Sequence, residues 1–231
     1  MQKRSIKDKY NVESIDSKET YEWLLNKHYA KRIPSISYSF GLLKKNTLIG
    51  VCTYGVPASN GLCLGLGGIK HKKKVLELNR LCVNENLNKN ALSYFVSKTF
   101  KLLPKPKILV SFADTGQNHN GYIYQATNWI YTGLSDKHIF WDIVGETNNT
   151  HDRHRWDKYG GIEQAKKILG DKMIGTYRPQ KHRYVYFLSN KSMKKTLKKN
   201  LKGKYKIKPY PKGENKRYDA NYKPQVQARL F

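Results

Sequence analysis

Acidic residues are scarce in this chain: 17 Asp and Glu stand against 44 Lys and Arg, a formal charge of +27 with a pI near 9.9. Solubility alone asks for a far smaller imbalance, so the shortage of acids points to a polyanionic partner. Long apolar runs are missing too. No stretch approaches the roughly 20 apolar residues that span a bilayer, and no amphipathic anchor opens the chain, which turns the expectation from membrane to nucleic acid. The opening MQKRSIKDKYNVES has no apolar run of the secretory kind, so a cytoplasmic setting is expected. In that setting the Asn148-Asn149-Thr150 glycosylation match carries no meaning. Cysteine is sparse: Cys52, Cys63 and Cys82 are odd in number and lack CxxC spacing, which suits reduced core residues and argues against a disulfide or zinc framework.

What is present is enough for one sizeable core with decorated ends, since 231 residues lie near the upper end of the usual domain range. Residues 17–29, SKETYEWLLNKHY, open with a Ser/Thr capping signal and read as a first helix. Residues 36–57 read as a hairpin turning at Lys44-Lys45-Asn46. The glycine-rich ASNGLCLGLGGIKHKKK, 58–74, reads as a loop. VLELNRLCV, 75–83, is a strand. From Asn88 the period changes, and Leu92, Phe95, Val96, Thr99, Phe100 and Leu103 fall on one helical face that Pro104 and Pro106 then stop. KILVSFAD, 107–114, is a continuous apolar run of the kind a strand covered on both faces shows. Tyr122, Ala126 and Trp129 follow at helical spacing, then a short strand IYTG, a surface helix 161–170 ended by Gly170, and a strand RYVYFL, 183–188. This alternation predicts one α/β sheet with parallel and antiparallel parts flanked by helices.

Beyond residue 189 the composition shifts to 14 Lys and Arg against two acids. Met193, Leu197 and Leu201 allow one short basic helix before an extended tail. The expected organisation is therefore a catalytic domain over 1–189 and a basic C-terminal helix and tail over 190–231.

Several motifs bear on chemistry, each with a plainer reading beside it. GLGG at 65–68 is followed by HKKK rather than by a helix, so neither a P-loop nor a dinucleotide fingerprint is present. Lys72, Lys73 and Lys74 remain candidates for phosphate contact, as do Lys181, Arg183, Lys198 and Lys199. His151 and His154 have i, i+3 metal-ligand spacing but no third ligand fixed by sequence. His119 and His182 are further potential ligands under the same reservation. Tyrosines interleaved with Lys and Arg suit base stacking, although strand packing serves equally for Tyr184 and Tyr186. Asp114 closes a hydrophobic strand at the end where α/β enzymes place chemistry, or else caps the turn that follows. Arg80, inside the apolar LELNRLCV, needs an acidic partner or a bound anion.

On ELNRL (77–81), VSFAD (110–114), HNGYIYQATNWIYTG (119–133), RPQKHRYVYFL (178–188) and KPYPK (208–212), the chain resembles the Mom family of bacteriophage DNA-modification proteins, relatives of the GNAT acyltransferase superfamily. The resemblance spans most of residues 75–212. It implies a GNAT-like mixed central sheet, conversion of adenine N6 in DNA to a carbamoylmethyl-type adduct, protection from host restriction, a host-cytoplasm location and metal dependence, with iron as the metal. It also implies an acyl-CoA or related donor, with Arg80, Asn88 and Asn90 beside it. The superfamily's Q/R-x-x-G-x-G/A signature is absent from NENLNKNALSYF.

Adenine N6 is a weak nucleophile, paired in duplex DNA, so its chemistry needs an extruded base, aromatic stacking and a proton acceptor. Asp114 is the expected acceptor, with Ser111, Tyr122 and Tyr124 around it. Ser111 shares a strand face with Asp114 only if a bulge intervenes. The rival readings are a non-catalytic basic DNA- or RNA-binding protein and a GNAT-type transferase with another substrate. An adenine methyltransferase would need a D/N-P-P-Y/F motif, and KPYPK is not one.

Overall fold

The computed structural model describes residues 5–146 and 155–214, arranged as two compact units. The larger lies within Met1–Ser135 and Lys181–Asn221, the smaller within Asp136–Gln180.

The larger unit is built on a seven-stranded mixed sheet: β1 (Asn11–Ser14), β2 (Tyr38–Lys44), β3 (Thr47–Gly55), β4 (Val75–Val83), β5 (Lys107–Asp114), β6 (Ile130–Leu134) and β9 (Lys181–Leu188), in the order β1-β2-β3-β4-β5-β9-β6. The β4–β5 pair is parallel and its neighbours are antiparallel. Around the sheet stand α1 (Ile6–Lys9), α2 (Asn60–His71), α3 (Ala91–Leu102), α4 (Tyr122–Ala126) and, after the smaller unit's α5 (Ile162–Leu169), α6 (Lys191–Lys199).

Alternation along the strands sorts side chains into two layers. Leu76, Leu78, Leu109 and Ala113 face α3, where Phe95, Val96 and Phe100 are buried, as the helical period predicts. Val75, Ile108 and Val110 face the opposite layer with Cys63 and Leu66 of α2 and Leu197 of α6. The apolar run 107–114 is thus covered on both sides. All three cysteines are free and buried.

One expectation needs correction. Residues 58–74 are not a loop: α2 runs through them, capped by the Ser59 hydroxyl accepting from Leu62 N. Its glycines serve packing, since a Cβ on Gly65 would lie 2.1 Å from Cε2 of the buried Tyr205 ring, while Gly68, at φ +60°, marks the kink that ends the regular part. Residues 17–27 form the expected first helix, though not a regular α-helix. A 3-10 turn over Ser17–Thr20, capped by Asp16 and Glu19, is followed by a π-turn over Trp23–Lys27 that buries Leu24. β1 and the smaller unit's strands have no counterpart in the pattern read above.

The smaller unit pairs β7 (Ile139–Ile143) with β8 (Met173–Tyr177). Ile143, Trp156, Ala165 and Met173 form its core, and Arg155 bridges to Asp142. α5 ends at Gly170, whose positive φ of 49° is the stop that its position predicts. His151 and His154 lie outside the described residues. Among the described residues no helix is long and apolar enough to cross a membrane.

Candidate functional site

β4 and β5 pair over only three positions, ending at Glu77↔Val110, although the strands continue to Val83 and Asp114. Parallel neighbours that part company leave backbone groups without ladder partners, and something must satisfy them. The Leu78 carbonyl is the first to lose its neighbour, and the Ser111 hydroxyl donates to it at 2.7 Å. The same oxygen lies 2.7 Å from the Tyr124 hydroxyl. One serine proton cannot serve both, so Tyr124 donates to Ser111 and the chain of hydroxyls ends on Leu78. Burial holds the Tyr124 phenol well above its usual range, so it remains a donor.

Opposite, β4 carries an extra residue against β3, with the register slipping between Thr53 and Tyr54. The extra residue is Asn79. Its amide oxygen accepts from Thr53 Oγ1 at 2.6 Å and its nitrogen donates to Ser35 O at 2.8 Å. The bulge redirects Arg80, which donates through Nη1 to Asn79 O at 2.7 Å and through Nη2 to Arg32 O at 3.3 Å. Its Nε is buried without a hydrogen-bond partner. An orphaned buried donor of this kind costs about 1–3 kcal/mol.

Asp114 closes β5 and is buried. Oδ1 accepts from Gly116 N at 2.9 Å, capping the turn Thr115–Gln117, and Oδ2 lies 3.2 Å from Lys181 Nζ, its cross-strand neighbour. Asp114 therefore caps the next turn, the plainer of its two readings, from the carboxyl end of a central strand. β5 stays in unbroken register with β9 from 107 to 114, so no bulge intervenes and Ser111 and Asp114 face opposite sides.

Glu77, at the last parallel pair, is half-buried and makes no hydrogen bond or ion pair with any described residue. Burial raises its pKa, against the opposing pull of Arg80 and Lys181. From the segment before β2 come His28 and Tyr29, stacked at 4.5 Å, with His119 edge-on to Tyr29 at 6.3 Å. Burial, the Asp114 carboxylate and Glu77 push the Tyr29 phenol up to about 12, with Arg80 opposing. His28 falls to about 3 through burial first and then Arg80, His119, Lys181 and Lys31. Its Nδ1 accepts from Ala30 N at 3.1 Å, which the neutral ring permits.

Along the parting strands the structure thus sets Ser111 with Tyr124 on one face, and on the other Asp114 with Lys181, near Arg80 and His119; to these it adds Glu77, His28 and Tyr29, which the reading of the sequence missed. Glu77 had a signal, a carboxylate inside the apolar VLELNRLCV. His28 and Tyr29 had none. Tyr122 is largely exposed on α4. Arg183, expected at phosphate, is instead buried: it donates to Thr132 Oγ1 at 3.0 Å, to Thr132 O and to Lys204 O, and stacks 4.5 Å over Tyr205. Sheet alternation turns it inward. His182 Nδ1 is held 2.8 Å from the Tyr131 hydroxyl. Lys73, Lys198 and Lys199 are exposed, Lys72 and Lys74 partly so. Lys198 lines a hollow of about 330 Å³ with Trp129, Tyr131, Lys208 and Tyr210.

An acyl-CoA at α3 would be met by backbone amides rather than by the two asparagine side chains. Asn88 Oδ1 accepts from Tyr10 at 2.8 Å, its carbonyl takes the Ala91 amide, and Asn90 offers no side-chain cap. Among the described residues no group of three His, Cys, Asp or Glu is placed to hold a metal, and His119 and His182 find no third donor there.

A family model described as the Mom protein family matches residues 9–212. The methylcarbamoylase mom of Escherichia phage Mu is 26% identical over 206 residues, covering 87% of this chain and 83% of its own length. Among solved structures, an N-acetyltransferase from Staphylococcus aureus Mu50 is similar at a TM-score of 0.42 and 10% identity, over 78% of this chain and 98% of that one. A GNAT family acetyltransferase from Elizabethkingia anophelis with acetyl-CoA bound is similar at 0.40 and 14% identity, over 78% and 99%.

Proposed function

The chain belongs to the Mom protein family, and from that premise we propose that it is a DNA-modification transferase that converts adenine N6 to a carbamoylmethyl-type adduct and so shields a phage genome from host restriction. The observation that carries the reading is the polar cluster at the parting of β4 and β5, set in a chain of charge +27. A buried group of acids, phenols and a guanidinium is costly in a fold that needs only stability, and such clusters mark sites of chemistry. The positive charge supplies sequence-independent attraction to the phosphate backbone.

Adenine N6 is unreachable inside the duplex, so the base turns out of the stack and is held between aromatic faces while its amino edge meets polar groups. Tyr29, protonated across the physiological range, supplies a ring and a hydroxyl. Asp114 holds Lys181 and the turn that carries His119, a positioning role, and it remains the carboxylate on β5 able to receive a proton when Lys181 moves off. Asp114→Asn weakens that ion pair and is expected to abolish modification while leaving DNA affinity largely intact.

Mass spectrometry of nucleosides from DNA of cells expressing the protein is the direct test. A carbamoylmethyl mass on adenine is expected. A methyl mass, or no adduct at all, would overturn the reading in favour of a methyltransferase, a binding protein or a transferase with another substrate.

A further inference from the structure

We propose that Glu77 and Arg80 together recognise the amidine edge of an extruded amino base, the carboxylate accepting the exocyclic N–H and Arg80 Nε donating to the ring nitrogen beside it. The inference rests on the adenine reading above and names what selects the base within the same site.

Three observations carry it. Glu77 stands at the last β4–β5 pair, where the strands open, and its carboxylate engages no described residue. Arg80 has both terminal nitrogens fixed on the backbone carbonyls of Asn79 and Arg32, which leaves Nε as its one buried donor lacking an acceptor. The two groups act on each other electrostatically, yet no ion pair joins them, and Lys181, which also acts on Glu77, is engaged with Asp114. An acceptor and a donor held near one another and both unfilled are complementary to a ligand edge that presents a donor next to an acceptor. Adenine presents that edge through N6–H and N1. Hypoxanthine presents the reverse, O6 and N1–H, with the same ring shape. The other titratable groups that Glu77 acts on electrostatically are Tyr29, Cys63 of α2 and Tyr124 of α4.

The experiment measures equilibrium binding of the full chain to duplexes carrying one target base opposite an abasic position, adenine in one and hypoxanthine in the other. The wild type is expected to prefer adenine about tenfold or more, because a reversed edge leaves both buried protein groups unmatched. Glu77→Gln, whose amide can donate as well as accept, is expected to bring the two duplexes within about threefold of each other. Arg80→Lys, which loses Nε, is expected to narrow the preference too, and serves if the Gln variant fails to fold. No preference in the wild type, or a preference undiminished in both variants, overturns the proposal. Preference without any adduct in the nucleoside assay would sink the modification reading and leave the recognition standing. Adduct formation with no wild-type preference would do the reverse.

Discussion

Ser111 repairs, with one hydroxyl, the place where two parallel strands separate. Replacing it with alanine strands the Leu78 carbonyl and the Tyr124 hydroxyl inside the core, and a loss of about 1–3 kcal/mol in urea unfolding is expected. A purely apolar packing role would cost less than one methylene's worth. His28 gives a second prediction at this scale. The folded protein holds the ring neutral to about 3, whereas the unfolded chain takes up a proton near 6.5. Below that upper value the unfolded state binds more protons, so the contribution is fully present above 6.5 and is lost progressively as pH falls toward 3. Urea unfolding at neutral pH and at about pH 5.5 is expected to show a drop of roughly 1 kcal/mol in the wild type and a smaller one in His28→Gln.

Among the elements, α2 sets two forces against each other. Gly65→Ala would favour the helix by up to about 1 kcal/mol, but the new methyl meets the buried Tyr205 ring, and overpacking of about 1–3 kcal/mol is expected to win. A lowered thermal midpoint checks this; a raised one would mean that Tyr205 yields. The same glycines explain why α2 was illegible: residues placed for close packing look, in a single sequence, like residues placed for flexibility. α3 and β5 were legible because their burial is periodic or continuous. Asp114, Arg80 and Tyr124 could be picked out as polar groups in apolar settings. Glu77 gained its meaning only from where β4 and β5 part, and His28 and Tyr29 only from a segment some fifty positions away in sequence from Arg80 returning to it. Pairing limits and long-range returns leave no local period to read.

At the scale of the whole molecule, charge is unevenly divided along the chain. Residues 136–180 hold eight Lys and Arg against seven acids, so nearly all of the excess lies outside that insertion. DNA affinity is accordingly expected to fall steeply with salt. Lys72, Lys73 and Lys74 changed to Gln should weaken binding to all sequences alike and flatten the salt slope by up to about three. Removal from Lys216 onward, outside the described residues, should act in the same direction. An unchanged slope in both would place the phosphate contacts elsewhere. The insertion itself leaves and rejoins the sheet at two residues that hold each other: Ser135 N donates to Lys181 O at 2.7 Å, and Lys181 N to Ser135 Oγ at 3.0 Å. Those two bonds join the ends of the insertion within the larger unit, so a short glycine-serine bridge from 135 to 181 is expected to leave a remainder that still folds, with a cooperative thermal transition as the check.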